Sequence, residues 1–286
     1  MSEKNAEEST SKSKTKRIIL CGLAAVLIVA VICSWWFLYQ SPYNDAVAEY
    51  ETAVEKVQAK NDNLDAAITD INAVVKGGEK PLDEKTMESA KQAIDTAKKT
   101  KHEIGDRPTK ISEIRSRTQE LSKPLDYQSV TDDLKSRQKE LENSILQMKQ
   151  VTNPNEEFVV TRLKTVPTVT GIKAATEDND PNGKLHKSGG YTSAVFFCSS
   201  NVDQSVLFYD DILENGTDCG GSVEVYETAE AAEKRNDYLG AFDGGILSSG
   251  SHTVIGTVVV RTSNELNATK QKTLTDDVIS ALTQLQ

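Results

Sequence analysis

The longest uninterrupted run of apolar residues in the chain covers residues 18–39, with the sequence IILCGLAAVLIVAVICSWWFLY. It contains 22 residues and no charged side chain. As an α-helix rising 1.5 Å per residue it would extend about 33 Å, enough to cross the roughly 30 Å hydrocarbon core of a bilayer. The pattern therefore predicts a single N-terminal transmembrane helix.

The residues on either side of this run predict its orientation. Residues 1–17 are rich in Ser, Lys and Glu and show no apolar periodicity, which predicts a disordered tail. Basic side chains lie directly before the run, whereas the first basic residue after it is Lys56. Because basic flanks stay in the cytoplasm, we expect a cytoplasmic N-terminus and an extracytoplasmic C-terminal part. Trp35, Trp36 and Tyr39 form an aromatic belt at the outer end.

A cleaved signal peptide is the alternative to a retained anchor. Such peptides have an apolar core of about 7 to 15 residues, followed by a small-x-small cleavage site. The triplet Ala46, Val47 and Ala48 matches that site, but the apolar run is longer and the triplet lies in a helical pattern. We therefore favour a signal anchor that stays in the membrane.

Residues 41–151 carry apolar positions spaced alternately three and four apart, the pattern of helices that pack along a narrow seam. Ser41 with Pro42 is typical of a helix start, and residues 77–78, both glycine, of a helix end. The seam of this first helix consists of Val47, Tyr50, Val54, Val57, Leu64, Ile68, Ile71 and Val75. Asn61 is the polar residue within it, and it either fixes the packing register or lies at a loosely packed, exposed turn.

Three more helices are predicted in this segment, at residues 82–104, 111–121 and 127–151. Gly105 ends the first of them, and Pro124 follows the second. Short connections favour antiparallel neighbours, so we expect an elongated helical bundle or coiled-coil spacer. The spacer is either a passive stalk or a surface for self-association.

Beyond residue 152 the apolar period changes toward two, which predicts strands. Strands are expected at residues 168–175, 191–198, 221–226 and 253–262, and helices at residues 155–165, 228–239 and 267–285. This mixture predicts that residues 153–286 form a two-layer α+β domain, with helices on one face of a small sheet. Residues 223–226 alternate between apolar and polar, which predicts one wet face for their strand.

Composition and charge narrow the classes of partner. The chain of 286 residues has a formal net charge of −10, and the basic residues before the apolar run leave the predicted outer part more acidic still. An acidic surface repels nucleic acids and anionic lipid headgroups, so no nucleic-acid partner is expected. Charged residues make up 27% and aromatic residues 6% of the chain, which suits solvated helices better than one large enzyme core.

Short motifs in the C-terminal part carry a resemblance to a known kind of domain. They are TEDNDPNG at 176–183, GGY at 189–191, GTDCGG at 216–221, KRNDYL at 234–239, and GSH at 250–252 leading into GTV at 256–258. These segments resemble an uncharacterised extracytoplasmic α+β domain of membrane-anchored Gram-positive bacterial surface proteins. The resemblance covers residues 153–286 only, and it implies an anchored surface protein without implying an activity.

One of these motifs has the oxygen spacing of a calcium-binding loop. Asp178, Asp180 and Asn182 alternate along the chain, and Gly183 follows where such a loop needs a sharp turn. The twelfth position is Gly189 instead of a bidentate Glu, so another carboxylate would have to complete the site. The alternative to calcium is a turn, because Asp and Asn side chains hydrogen-bond to their own backbone.

Cys198 and Cys219 are the two cysteines outside the apolar run, and the predicted topology places them in an oxidising compartment. Each flanks a predicted strand, so we favour a disulfide that closes a loop of about 20 residues. Two separate buried thiols are the alternative. A nucleophilic cysteine with His186 or His252 as its base is a third reading, but neither cysteine lies in a nucleophile turn.

Two hypotheses for function follow. The first is a non-enzymatic, membrane-anchored cell-surface protein whose C-terminal domain binds a cell-envelope component or another surface protein. The alternative is a cell-envelope hydrolase or peptidase with Asp218, Asp243 and His252 in glycine-rich loops. The loop containing Ser248 and Ser249 has neither the Gly-x-Ser-x-Gly of a nucleophile elbow nor the Gly-Lys-Ser/Thr of a phosphate loop, so the first hypothesis is favoured and no catalytic residue is predicted.

Overall fold

A computed structural model describes residues 3–245 and 250–285 of the chain. Over these residues the chain combines α-helices with one five-stranded antiparallel sheet, which confirms the predicted mixture of helices and a small sheet. The chain forms two compact units. The first comprises Met1–Thr69 and Asp95–Asp132, and the second comprises Asp70–Ile94 and Asp133–Gln286.

The apolar run lies in a helix that continues into the first spacer helix. Helix α1 covers Glu3–Trp35, a π-helical turn covers Trp36–Gln40, and helix α2 covers Ser41–Lys76. Helix α2 therefore begins at Ser41, as predicted, but it continues from the π-helical turn without a break. Pro42 has no N–H to donate, and its ring crowds the preceding turn of a regular helix. In the widened turn the Ser41 N–H donates five residues back, and this geometry accommodates the proline without ending the helix.

Helix α1 also includes most of the predicted tail, because residues 3–17 are helical instead of disordered. Glu, Lys and Ala are good helix formers, and a helix extends at little cost once a nucleus exists, as it does in the apolar run. Over the described residues one helix is long and apolar enough to cross a membrane. Its length and composition are compatible with a single-pass anchor and with a signal sequence.

Three further spacer helices form close to their predicted positions. They are α3 at Glu84–Thr100, α4 at Ile111–Leu121 and α5 at Gln128–Gln150. Gly78 and Gly105 have φ angles of 72° and 68°, in the left-handed region that favours glycine. Gly78 follows the end of α2 as predicted, whereas α3 ends at Thr100, five residues before Gly105.

In the first unit, helices α2 and α4 share a hydrophobic core. Its buried members are Ala46, Tyr50, Ala53, Val57, Ile114 and Leu121. Both helices thus bury one apolar face, as their three-and-four spacing predicts.

Asn61 in α2 is buried, and its side-chain nitrogen and oxygen each form a hydrogen bond. Its Nδ2 donates to the carbonyl of His102 at 2.9 Å, and its Oδ1 accepts from the hydroxyl of Tyr127 at 2.9 Å. The same hydroxyl accepts from the backbone N–H of His102 at 2.8 Å. Asn61 and Tyr127 therefore satisfy both backbone polar groups of His102. The interpretation of Asn61 as an exposed turn residue is wrong, because each group in this network has a partner away from water.

Five strands form one sheet in the second unit. They are β1 at Val169–Ala174, β2 at Ser193–Ser199, β3 at Gly220–Val225, β4 at Ser251–Ile255 and β5 at Val258–Thr262. The strands lie in the order β1-β2-β3-β5-β4, and each neighbouring pair is antiparallel.

Residues 253–262, predicted as one strand, are part of the β4–β5 hairpin. Gly256 turns the chain between these strands with a φ of 61°. A side chain there would also collide with the carbonyl of Val151, because an added Cβ would lie 2.4 Å from that oxygen. Because apolar residues lie on both sides of Gly256, the apolar pattern predicted one continuous strand and missed this turn.

Helices cover both faces of the sheet. Helices α6 at Glu156–Leu163 and α9 at Ala268–Thr283 pack on one face. Helices α8 at Ala229–Gly240 and α7 at Ile212–Asn215 pack on the other. The predicted two-layer arrangement is therefore wrong, and the domain has three layers. Strand β2 is buried at each of its positions, which requires cover on both faces.

The last spacer helix leads directly into the core of the second unit. Val151, which follows α5, is buried in the same cluster as apolar side chains of β2 and α9. Its carbonyl accepts a hydrogen bond from the N–H of Thr257 at 2.9 Å. The boundary predicted between residues 151 and 153 therefore lies inside a compact unit.

Candidate functional site

The predicted disulfide between Cys198 and Cys219 is present. Cys198 lies in β2, and Cys219 directly precedes β3, the neighbouring strand. Their Cα atoms are 4.5 Å apart, because the strand register places Cys198 opposite Gly220. The bond closes residues 199–218 into a loop, which we call the disulfide loop.

Buried side chains and an ion pair also hold the disulfide loop to the domain. Val202 belongs to the core on the face covered by α6 and α9, whereas Leu213 belongs to the core on the opposite face. Asp211 forms an ion pair with Lys173 on β1, and its Oδ1 accepts from the N–H of Leu213 at 2.8 Å. The loop is thus attached to both faces of the sheet.

Asn215 binds the backbone of Tyr209 at both of its polar groups. The Asn215 Oδ1 accepts from the Tyr209 N–H at 3.2 Å, and its Nδ2 donates to the Tyr209 carbonyl at 2.6 Å. The same Nδ2 donates to the carbonyl of Asp211 at 3.0 Å. The backbone of Tyr209 is therefore positioned by the loop itself, although its side chain is exposed.

Apolar side chains of the disulfide loop lie in solvent. Phe208 is 92% exposed, Tyr209 is 57% exposed and Val206 is 42% exposed. Residues 199–218 also contain five acidic residues and no Lys, Arg or His. Exposed aromatic side chains on an ordered loop are typical of a binding surface. The sequence analysis missed this surface, and the available signal was the apolar run at residues 206–209 between acidic residues.

The structure brings together two of the three residues of the hydrolase hypothesis. The Nε2 atom of His252 lies 3.3 Å from both carboxylate oxygens of Asp243, and its Nδ1 lies 2.7 Å from Oδ1 of Asn236 on α8. In the part of the chain that the structure describes, no serine, threonine or cysteine side chain hydrogen-bonds to His252. Both ring nitrogens are thus engaged with side-chain oxygens, where a general base would need one nitrogen facing a nucleophile.

Asp218, the third residue of that hypothesis, has no hydrogen bond or ion pair with His252 among residues 3–245 and 250–285. Burial raises the pKa of the Asp218 carboxyl, and the nearby charge of Arg261 only partly offsets this effect. Ser248 and Ser249 of the glycine-rich loop lie outside the described residues. The hydrolase hypothesis stays a prediction.

Both carboxylate oxygens of Asp180, a predicted calcium ligand, accept hydrogen bonds from neighbouring protein groups. Oδ1 accepts from the N–H of Asn182 at 3.1 Å and from the hydroxyl of Tyr191. Oδ2 accepts from the N–H groups of Lys184 and Leu185 at 2.6 and 2.9 Å. Burial raises the pKa of Asp180, but these hydrogen bonds outweigh burial and hold the pKa below its ordinary value.

These contacts match the turn alternative for the motif. Asn182 is engaged in the same turn, because its Nδ2 donates to the Tyr191 hydroxyl at 3.3 Å. Asp178, the third predicted ligand, is exposed. Over the described residues, no group of three or more His, Cys, Asp or Glu side chains is arranged to hold a metal ion. Calcium binding stays a prediction.

A buried ionic cluster lies between the sheet and α8. Glu224 on β3 is fully buried and accepts hydrogen bonds from Arg235 on α8 at 2.9 and 3.2 Å. Arg261 on β5 and the hydroxyl of Tyr226 each donate to the same carboxylate at 2.9 Å. Burial raises the pKa of Glu224, but the two arginines outweigh burial and lower the pKa below its ordinary value.

The sequence analysis missed this cluster. The alternation at residues 223–226 predicted a wet face, which is wrong, because β3 is buried at each of its positions. The available signal was one charged residue in each of two apolar strands, Glu224 and Arg261. Opposite charges on adjacent strands can pair across a sheet, so this combination is typical of a buried ion pair.

A cleft of about 630 Å³ opens beside the N-terminus of α6. Its lining includes the contact of Glu177 with His186, whose Oε1 and Nδ1 atoms are 2.9 Å apart, and the apolar side chains of Pro154 and Leu185. As far as the structure describes them, its lining residues lie outside the disulfide loop. The cleft and the exposed side chains of the disulfide loop are therefore at separate positions on the domain.

Comparison with protein families, curated proteins and solved structures finds no match to this chain. The resemblance to an extracytoplasmic surface domain therefore stays a prediction. The function is inferred below from geometry, exposure and charge.

Proposed function

We propose that this chain is a non-enzymatic, single-pass membrane protein of the cell surface that presents its C-terminal domain as a binding module. The N-terminus is cytoplasmic, the apolar helix is a retained anchor, and the remaining chain is extracytoplasmic. The partner is a cell-envelope component or another surface protein.

The observation that carries this proposal is the uncovered apolar stretch of α1 and the π-helical turn, which continues helically into α2. Phe37 and Leu38 are 74% and 80% exposed. Keeping apolar surface in water costs about 25 cal/mol per Å², and a run of this length is favourable in a bilayer instead. Because the helix continues through Pro42, removal of the anchor would require cleavage within helical structure.

The orientation is supported by charge and by the disulfide. Basic residues lie before the apolar run, and basic flanks stay in the cytoplasm. The Cys198–Cys219 bond is typical of an oxidising compartment, which fits an extracytoplasmic domain.

Helix α2 supports the role of a stalk. Its 36 residues extend about 54 Å at 1.5 Å per residue. Its apolar seam is buried within the helical segment, which supports a helical spacer, and self-association through the spacer is the alternative to a passive stalk.

The disulfide loop supports the binding role. The surroundings of His252 support the non-enzymatic role. Phe208 and Tyr209 lie in solvent on a loop held by a disulfide and by Asn215. In contrast, the ring nitrogens of His252 contact Asn236 and Asp243.

Cysteine labelling in intact bacterial cells tests this proposal. Ser13→Cys and Lys91→Cys are introduced separately into a chain in which Cys21 and Cys33 are replaced by alanine. We expect a membrane-impermeant maleimide to label Lys91→Cys in intact cells, and to label Ser13→Cys only after permeabilisation. The reverse pattern would overturn the orientation. Release of a shortened chain into the medium would overturn the anchor in favour of a cleaved signal.

A further inference from the structure

We propose that the disulfide loop is the docking element of the binding module, and that Phe208, Tyr209 and Val206 enter an apolar pocket on another polypeptide whose rim carries Lys or Arg. This inference rests on the proposed binding function and names the class of partner.

Exposure is the first argument. Phe208 is the most exposed large apolar side chain among those that the structure describes in this domain, at 92%. Tyr209 and Val206 are within two residues of it along the chain and are also exposed. Aromatic side chains provide much of the energy of protein interfaces when they enter a pocket. The exposed aromatic side chains of this loop are therefore suited to bind in a pocket on a partner.

Rigidity is the second argument. The Cys198–Cys219 bond joins the ends of the loop, and Asn215 binds both backbone groups of Tyr209. Val202 and Leu213 are buried on either side of the exposed segment. Ordering a flexible loop on binding reduces affinity, and a loop that is already ordered avoids most of that cost. The exposed segment is therefore pre-organised for docking.

Charge is the third argument, and it selects the partner. Residues 199–218 contain five acidic residues and no basic residue. Hydrogen bonds from Ser205 lower the pKa of Asp203, so this carboxylate is ionised at neutral pH. Asp210, next to the aromatic pair, is exposed. An acidic border repels anionic lipid headgroups and attracts a basic rim, so the charge favours a basic polypeptide over an anionic bilayer.

A phage-displayed library of random peptides is the probe. Peptides are selected on the full chain in nanodiscs, after removal of peptides that bind empty nanodiscs. We expect the enriched peptides to combine bulky apolar residues with Lys or Arg. Their affinity for the double variant Phe208→Ala with Tyr209→Ala should fall by about tenfold or more. Asp210→Asn should weaken binding less, and more at low than at high salt.

Tyr238→Ala is the matched control, because Tyr238 on α8 is exposed to nearly the same fraction as Tyr209, 54% against 57%. Its peptide affinity should equal that of the unchanged chain. The double variant should melt at an unchanged temperature, since its side chains lie outside the core.

Results of three kinds would overturn the inference. The first is equal peptide affinity of the double variant and the unchanged chain, or enrichment of peptides without basic residues. The second is self-association of the full chain that the double variant loses, which assigns the loop to a second copy. The third is binding of the nanodisc-embedded full chain to phosphatidylcholine and phosphatidylglycerol vesicles that the double variant loses, which assigns the loop to a bilayer. Each result is separate from the labelling test of membrane orientation.

Discussion

Arg235 on α8 and Glu224 on β3 form a two-point ion pair inside the second unit, with donor–acceptor distances of 2.9 and 3.2 Å. Arg261 donates to the same carboxylate from β5 at 2.9 Å. All three side chains are removed from water, so each charge depends on the others for compensation.

The first prediction concerns this ion pair. Arg235→Met should destabilise the second unit by about 3–5 kcal/mol, because it leaves Glu224 buried with one arginine fewer. Urea denaturation of the full chain in detergent, followed by near-ultraviolet circular dichroism, measures the change. Arg137→Met is the control, because Arg137 forms solvent-exposed ion pairs on α5 and should change stability little. Equal losses in both variants would contradict the prediction.

Acid should destabilise the second unit through Glu224 and Asp180. The pKa of each carboxyl is lower in the folded than in the unfolded chain. Their stabilising contribution is therefore complete above the unfolded pKa values of about 4, and it is lost as the pH falls through the lower folded values. Melting temperatures measured between neutral pH and about pH 3 check this. Asp180→Asn should reduce the acid dependence more than Asp178→Asn does, and equal curves would count against it.

The disulfide should stabilise the chain measurably. Replacing Cys198 and Cys219 by serine should cost about 3 kcal/mol, because the unfolded chain regains the freedom of a loop of about 20 residues. Thermal unfolding with and without dithiothreitol measures this loss. Replacing Cys21 and Cys33, which are free cysteines, should leave the same transition unchanged. A reductant-insensitive melting temperature in the unchanged chain would refute the prediction.

Asn61→Ala should destabilise the first unit by about 1–3 kcal/mol, because it leaves the carbonyl of His102 without its buried partner and breaks the bond from Tyr127. Asn63→Ala is the matched control, since Asn63 lies two residues away on the exposed side of the same helix. Urea denaturation followed by far-ultraviolet circular dichroism compares the two. If both variants unfold at the same urea concentration, the buried network does not contribute as expected.

The calcium hypothesis makes a prediction of its own. An ion bound by Asp178, Asp180 and Asn182 would raise the melting temperature, by an amount equivalent to about 2.7 kcal/mol when free calcium is about a hundred times the dissociation constant. Asp178→Asn should abolish that increase, whereas Asn179→Ala, at a position outside the predicted ligand set, should preserve it. A melting temperature that millimolar calcium does not move would leave the motif as a turn.

Local chemistry explains which features were accessible from the sequence. Gly78 marks the end of α2 because a left-handed backbone conformation favours glycine wherever the helix lies in space. The three-and-four spacing places the spacer helices for the same reason, since it depends on neighbours along one helix. The pairing of Cys198 with Cys219 was predictable because both lie outside the apolar run and beside predicted strands.

Other features depend on contacts between distant residues. The local pattern predicts that Glu224 is solvent-exposed. Its partners Arg235 and Arg261 lie 11 and 37 residues away along the chain, so the local pattern does not include them. Nothing local to Gly256 shows that Val151 packs against it. The hydrogen bonds between the Asn215 side chain and the Tyr209 backbone likewise could not be predicted from the sequence, although they order the exposed segment.

The sequence by itself therefore determined the apolar helix, the spacer helices, the disulfide and most strand positions, because periodicity and turn chemistry act over a few residues. The tertiary structure decided that α1 continues into α2, that helices cover both faces of the sheet, and that Phe208 stays in solvent while Glu224 is buried. Periodicity shows which face of an element is apolar, but only the fold determines what covers that face.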